Sequence, residues 1–206
     1  MSADNKDTAP ERVALFPLNV VLFPGGILPL RIFEPRYVRM VSECMREQKP
    51  FAVVAIVDGP EAGGVASTAS VGTLARIIDW EQGDDGLLNL VCEGEQGVAI
   101  DAVQAEDDQL LRAQVSRLPL PVAQPLPDEF AWAAALLLEV LQRLGEPFDR
   151  LAVVDPSADH VANRLIELLP IPLDQKQALL ETDGGVERLR RLVALINPDG
   201  EDVTVA

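Results

Sequence analysis

The 206-residue sequence predicts an α+β fold: an antiparallel β-barrel or sandwich with one inserted helix over residues 12–122, then a small helical bundle over 123–198. Three observations predict it. Up to about residue 120 the chain is written in short apolar runs broken by Gly, Pro and acidic turns, the mark of many closely spaced strands rather than a doubly wound sheet. Four prolines then fall within Leu118–Pro127, which can continue neither a ladder nor a helix and so reads as a linker. Beyond it the apolar spacing changes to the helical period.

The candidate strands are Val13–Phe16, Val20–Phe23, Ile27–Ile32, Phe51–Val57, Val71–Trp80, Leu87–Cys92, Val98–Val103 and Leu110–Leu118. The last is the clearest: Leu111, Ala113 and Val115 alternate with Arg112, Gln114 and Ser116, as in a half-buried strand. Gly83-Asp84-Asp85-Gly86 and Gly94-Glu95-Gln96-Gly97 each read as a hairpin turn. Pro17, Pro24 and Pro29 remove ladder donors, so their strands must be edge-like, bent or bulged. The inserted helix opens at Pro35, where a missing N–H costs nothing. Tyr37, Val38, Val41, Cys44, Met45 and Gln48 share one of its faces, with Cys44 and Met45 read as core.

In the second half, Asp128–Leu144 is expected to be a largely buried helix stopped by Gly145. Asp155 is expected to cap a helix running through Leu169, with Val161, Leu165, Leu168 and Leu169 on one face. A short helix through Leu180 follows. Val186, Leu189, Leu192, Val193 and Ile196 mark a last one before Asn197-Pro198. Residues 1–11 and 199–206 are expected to be flexible tails.

Composition narrows the function. The chain is 48% hydrophobic and 24% charged, which argues against general disorder. Its formal charge of −16 is spread evenly, with 18 acids against 10 bases in residues 1–122 and 15 against 7 in 123–206. Such a surface repels phosphate backbones and anionic lipid, so no nucleic-acid or membrane partner is expected. Two cysteines, Cys44 and Cys92, are too few for a disulfide framework, and a single histidine leaves too few ligands for zinc. The N-terminus lacks an apolar signal segment, and no window reaches the roughly 18 apolar residues a membrane-spanning helix needs. The chain reads as cytoplasmic and reduced.

The stretch Leu15-Phe16-Pro17-Leu18-Asn19-Val20-Val21-Leu22-Phe23-Pro24-Gly25-Gly26-Ile27-Leu28-Pro29-Leu30-Arg31-Ile32-Phe33-Glu34-Pro35-Arg36-Tyr37 resembles the opening signature of Lon protease N-terminal (substrate-binding) domains. Its Phe-Glu-Pro-Arg-Tyr form is typical of stand-alone members. Gly72–Ile77 and Leu168–Glu181 extend the similarity, in order, across about residues 12–197. The resemblance implies a PUA-like β-barrel followed by a helical bundle, and a module that recognises protein without the ATPase and peptidase domains. Where family members often carry Arg near position 93 and an Arg-Phe pair near 97–98, this chain has Glu93, Gly97 and Val98. The resemblance therefore implies no cationic or aromatic contact there.

No catalytic residue, metal or cofactor is expected. None of the three lysines, Lys6, Lys49 and Lys176, follows a glycine, so there is no phosphate-binding loop. Nothing resembles a Ser–Lys peptidase pair. Asp155, Ser157, Asp159 and His160 list the members of a triad, but crowded at a helix start they read as capping and first-turn acids. The acidic groups at 81–85 and 106–108 lack the spacing of a calcium loop. Binding remains. Aromatic residues make up only 4% of the chain, so Trp80, at a strand end beside a polar hairpin, is a candidate contact. Phe33 and Tyr37, at the strand-to-helix corner, and Arg36 beside them complete the candidate set. The leading expectation is a non-catalytic substrate- or protein-binding module in proteolysis or quality control, holding polypeptide or unfolded segments. A small-molecule-sensing PUA-like domain and an uncharacterised hydrolase are the alternatives.

Overall fold

Six strands, interrupted by one helix, precede four further helices among the described residues of a computed structural model that describes residues 11–61, 64 and 66–197. The strands are β1 (Glu11–Leu18), β2 (Ile27–Ile32), β3 (Phe51–Asp58), β4 (Ser67–Gln82), β5 (Leu88–Ala105) and β6 (Leu111–Arg117). They form one sheet in the order β2-β5-β4-β3-β1-β6, and β6 pairs again with β5. The helices are α1 (Pro35–Glu47), between β2 and β3, then α2 (Ala131–Leu144), α3 (Ala158–Leu168), α4 (Leu173–Leu180) and α5 (Gly185–Ile196). The expected tails lie almost wholly outside the described residues, and Glu11 already belongs to β1.

The sheet is mixed, not antiparallel throughout: Leu15–Leu18 of β1 run parallel to Ala52–Ala55 of β3. The chain needs a crossover to return in that direction, and β2 with α1 supplies it. β3 is buried on both faces, which is why it reads as a continuous apolar run. Phe51 and Val53 face α1 and its cluster, while Ala52 and Val54 pack with Leu15, Leu74 and Val98 inside the ladder. In β6, Leu111, Ala113 and Val115 are buried as the alternation requires.

Proline and glycine sit where the backbone uses them. Pro29 lies on the edge strand β2, and Pro17 lies where β1 pairs with β3 but no longer with β6. The hairpin at 83–86 joins β4 to β5, closed by Gly83 N–H to Leu87 O at 2.9 Å. The hairpin expected at 94–97 does not exist, because β5 runs unbroken through it. Gly94 is there because a side chain would collide with the carbonyl of Phe23, and the ladder is bulged between its partners Thr73 and Ala75.

Val20–Phe23 is not a strand. Its backbone is held by side chains from elsewhere: Thr73 Oγ1 donates to Leu22 O at 2.6 Å, and Phe23 N–H donates to Glu167 Oε1 at 2.7 Å. Arg164, 1% exposed, completes the clamp by donating through Nε to Glu167 Oε2 (2.8 Å) and through Nη2 to Pro24 O (3.1 Å). Burial raises the Glu167 pKa, with the Arg164 charge pulling it down. Around this clamp one apolar cluster joins both halves, with Val21, Phe23 and Ile27 packed among Leu137, Leu141, Val161, Leu165, Leu189 and Leu192.

Three helix readings are corrected. On α1 the buried face is Tyr37, Met40 and Val41, while Val38 and Met45 lie on its flanks, 37% and 38% exposed. A 3-10 turn, Asp128–Phe130, precedes α2, which buries one face through Ala133, Leu137 and Leu141 and leaves Leu138 and Leu144 exposed. Ser157, not Asp155, caps α3: its hydroxyl accepts from His160 N–H at 3.2 Å, whereas Asp155 is in the left-handed region at φ 51°. Ser157→Ala should lower unfolding free energy by about 1 kcal/mol. Urea titration checks this, and an unchanged midpoint would remove Ser157 from the cap.

Candidate functional site

The four candidate residues part company in the structure. Arg36 is buried, donating through Nη1 to the carbonyls of Gly64 (2.9 Å) and Gln109 (3.1 Å), with Nη2 2.9 Å from Glu34 Oε2. Tyr37 is buried beneath it, 4.7 Å from the guanidinium carbon, with its ring centroid 4.2 Å from that of Phe16. Both are turned inward, Arg36 7% and Tyr37 5% exposed, so neither presents a surface to a partner and both leave the binding set. Phe33 is 62% exposed just after β2 but lines neither of the clefts described below. Trp80 is 53% exposed and borders both.

The ladder register explains how Trp80 comes to the surface. Ile77 pairs with Cys92, but Asp79 pairs with Val91, so Ile78 is an extra, bulged residue. The bulge shifts the alternation by one. Trp80, opposite Leu90, thereby shares the α1-facing side of the sheet with Ile77, and Asp79 and Glu81 point to the other side. Leu90 is buried under α1, and Trp80 lies beyond the cover that α1 provides.

On the α1 side, a groove of about 400 Å³ runs between the C-terminal turn of α1 and β4. Cys44, Met45, Gln48 and Lys49 form one wall, and Ile77, Ile78 and Trp80 the other. Met45 was read from sequence as core. It lines the groove instead, because the apolar arc of α1 is centred on Tyr37 and Met40, not on Val38 and Met45. The cations at the rim are engaged: Lys49 with Glu47 at 3.2 Å, and Arg76 with Glu93 (2.7 Å) and Glu95 (3.1 Å). Burial pushes the Cys44 thiol up to about 11, so at neutral pH it is protonated and a poor nucleophile.

On the opposite side of the same strands lies a second cleft of about 620 Å³. Its floor is two cross-strand rows, Pro29-Val91-Asp79 and Arg31-Asn89-Glu81, and Glu146, Pro147 and Arg150 close it from the segment after α2. Sequence reasoning missed this cleft, because its rim joins residues more than a hundred positions apart.

His160 is explained without chemistry: Nε2 lies 2.9 Å from Leu151 O, and burial lowers its pKa. Among the described residues, no group of three or more His, Cys, Asp or Glu side chains is placed to hold a metal ion, and no helix is long and apolar enough to cross a membrane.

Comparison with known proteins gives this architecture its relatives. The Lon N-terminal domain protein from Xanthomonas campestris superposes with a TM-score of 0.72 at 33% identity, covering 89% of this chain and 98% of that one. The N-terminal domain of Mycobacterium avium complex Lon protease shares the fold, with a TM-score of 0.63 at 20% identity. Lon protease of Phenylobacterium zucineum (strain HLK1) is 31% identical over 95% of this chain, which covers 26% of that protein. The chain thus spans about a quarter of the length of the curated relatives it matches. The family model for the ATP-dependent protease La (LON) substrate-binding domain matches residues 12–198, and the chain belongs to that family.

Proposed function

We propose that this chain is a non-catalytic protein-binding module, linked to proteolysis or protein quality control, that holds unfolded or extended polypeptide in the Trp80 groove. One observation carries the reading: Trp80 and Met45, both substantially exposed, line one groove with Ile77, Gln48, Lys49, Arg76 and Asp79 among its other lining residues. A tryptophan supplies a large rigid contact, and a methionine adapts to varied apolar side chains. The family supports a substrate-binding role, and in this reading the ladder that closes through β5 and β6 is the PUA-like barrel, residues 12–122, with the bundle over 123–198 packed on it. The partner is polypeptide, and the compartment is the cytoplasm.

The test is fluorescence anisotropy with labelled, reduced and alkylated ribonuclease A as the unfolded probe. Trp80→Ala should weaken binding by about 10-fold or more while leaving the fold intact, since Trp80 is outside the core. Equal binding by the variant and the parent would remove the groove from the function.

One observation favours small-molecule sensing as a second reading: the 620 Å³ cleft falls within the size of ligand pockets. A metabolite retained by the purified chain in native mass spectrometry, without polypeptide binding, would favour it.

A further inference from the structure

The Trp80 groove follows an open edge of the sheet. β4 pairs with β3 only as far as Ala75, opposite Phe51, whereas its ladder with β5 continues to Gln82. β3 does not reach further back, because Pro50 before it has no N–H and Gln48, where α1 ends, is in the left-handed region at φ 53°. Among the described residues, β4 over 76–82 therefore has a strand on one side and none on the other.

Two further observations place the groove on that edge. Successive strand residues point to opposite faces, yet Arg76, Ile77, Ile78, Asp79 and Trp80 all line it. Only a groove beside the strand meets both faces. The backbone is also turned toward it. Pro29 has no N–H and stands opposite Val91, so Val91 directs its N–H and C=O to its other partner, Asp79. The alternation then turns the N–H and C=O of Trp80 outward. That N–H is held by Asp79 Oδ1 at 2.9 Å, a carboxylate standing in for the carbonyl of a neighbouring strand.

We propose that the bound polypeptide joins the sheet as an added strand beside residues 76–82 of β4, in line with β3. This rests on the groove reading above, and it adds the substrate class: extended segments with apolar residues at alternate positions and without proline. Main-chain hydrogen bonds to the edge supply affinity for any sequence, while alternate side chains reach Met45, Ile77 and Trp80 on the α1 side. The occupant continues the β3–β4 ladder already present, taking the place that β3 leaves at Phe51. A second copy of this chain fits worse. Antiparallel pairing of two such edges about their centre would set Asp79 against Asp79, between chains that each carry −16.

The experiment uses the full chain and two labelled nine-residue peptides, with valine and threonine alternating between terminal glutamines. They are identical in side chains, but one has its seven central amides N-methylated and so cannot donate to an edge. In fluorescence anisotropy the methylated form is expected to bind at least ~10-fold more weakly. Saturation with the unmethylated peptide should slow hydrogen exchange of the Trp80 main-chain N–H by ~10-fold or more. Equal binding by the two peptides, unchanged exchange at Trp80, or no binding of the unmethylated peptide each overturns the added strand, and the ribonuclease A test still judges the groove. If Trp80→Ala binds ribonuclease A and the unmethylated peptide as the parent chain does, the groove itself is wrong.

Discussion

Arg164→Ala should destabilise the protein by about 3–5 kcal/mol, the usual cost of stripping one partner from a buried ion pair. Arg164 is 1% exposed and holds both Glu167 and the Pro24 carbonyl, while Glu167 also takes the Phe23 N–H. Removing the guanidinium leaves a buried carboxylate facing the Phe23 amide alone and opens a void where the arginine stem packed. The thermal midpoint should fall on the order of 10 °C for a chain of this size. Glu167→Gln is the informative companion, because its amide oxygen can still accept from Phe23 while the charge is gone. It should cost less than Arg164→Ala, and the double substitution less than the sum of the two. A loss under about 1 kcal/mol for Arg164→Ala, measured by denaturant titration, would show that the clamp does not hold the two halves together.

That clamp marks the boundary of what the sequence made legible. Regular elements with simple periods could be read directly: β2 and β6, the proline opening of α1, and the glycine stop after α2 all follow from local rules. Long-range closure was not readable. Val20–Phe23 has the composition of a strand, yet Glu167 and Thr73 satisfy its backbone in place of a ladder, and no local pattern encodes that substitution. Gly94 and Gly97 look like a turn because glycine serves turns most often; here they let β5 pass close to Phe23 and Leu118.

The candidate site was legible to the same degree. Trp80 could be singled out because large aromatics are few and it borders a polar hairpin. Its exposure depends on the bulge at Ile78, a register effect that appears only once the strands are paired. Met45 was assigned to the core because a 3.6-residue arc tolerates a shift of one position, and the packing of Met40 decides where the arc is centred. Arg36 and Tyr37 look like a binding pair because both can bind. The carbonyls of Gly64 and Gln109 take the arginine first. The second cleft had no signature at all, since its floor on β2, β4 and β5 and its rim at Glu146, Pro147 and Arg150 are brought together only by the fold.

Gly185→Ala should be the most damaging single methyl that can be added to the helical half, with an expected loss of about 3 kcal/mol or more. Gly185 is the first residue of α5, and a Cβ there would fall under 3.0 Å from Asp159 N and Cα and from Ala158 C. Those are backbone atoms of α3, so no side chain can swing aside to make room. The whole of α5 must retreat. Leu189 and Leu192, both buried, would lose their contacts with Val161 and Leu165. Arg188 would be drawn from Asn163 Oδ1 (2.9 Å) and Asp159 Oδ1 (3.3 Å), leaving polar groups in the interface unpaired. Gly86→Ala separates this effect from ordinary glycine strain. Gly86 lies at φ +80° with nothing within 4 Å of an added Cβ, so its substitution should cost only the left-handed penalty of about 1–2 kcal/mol. Denaturant titration of both variants should therefore rank Gly185→Ala clearly below Gly86→Ala. The opposite order would mean that α3 and α5 are free to separate, and the cluster joining the helices to Phe23 would not be the rigid support that the clefts require.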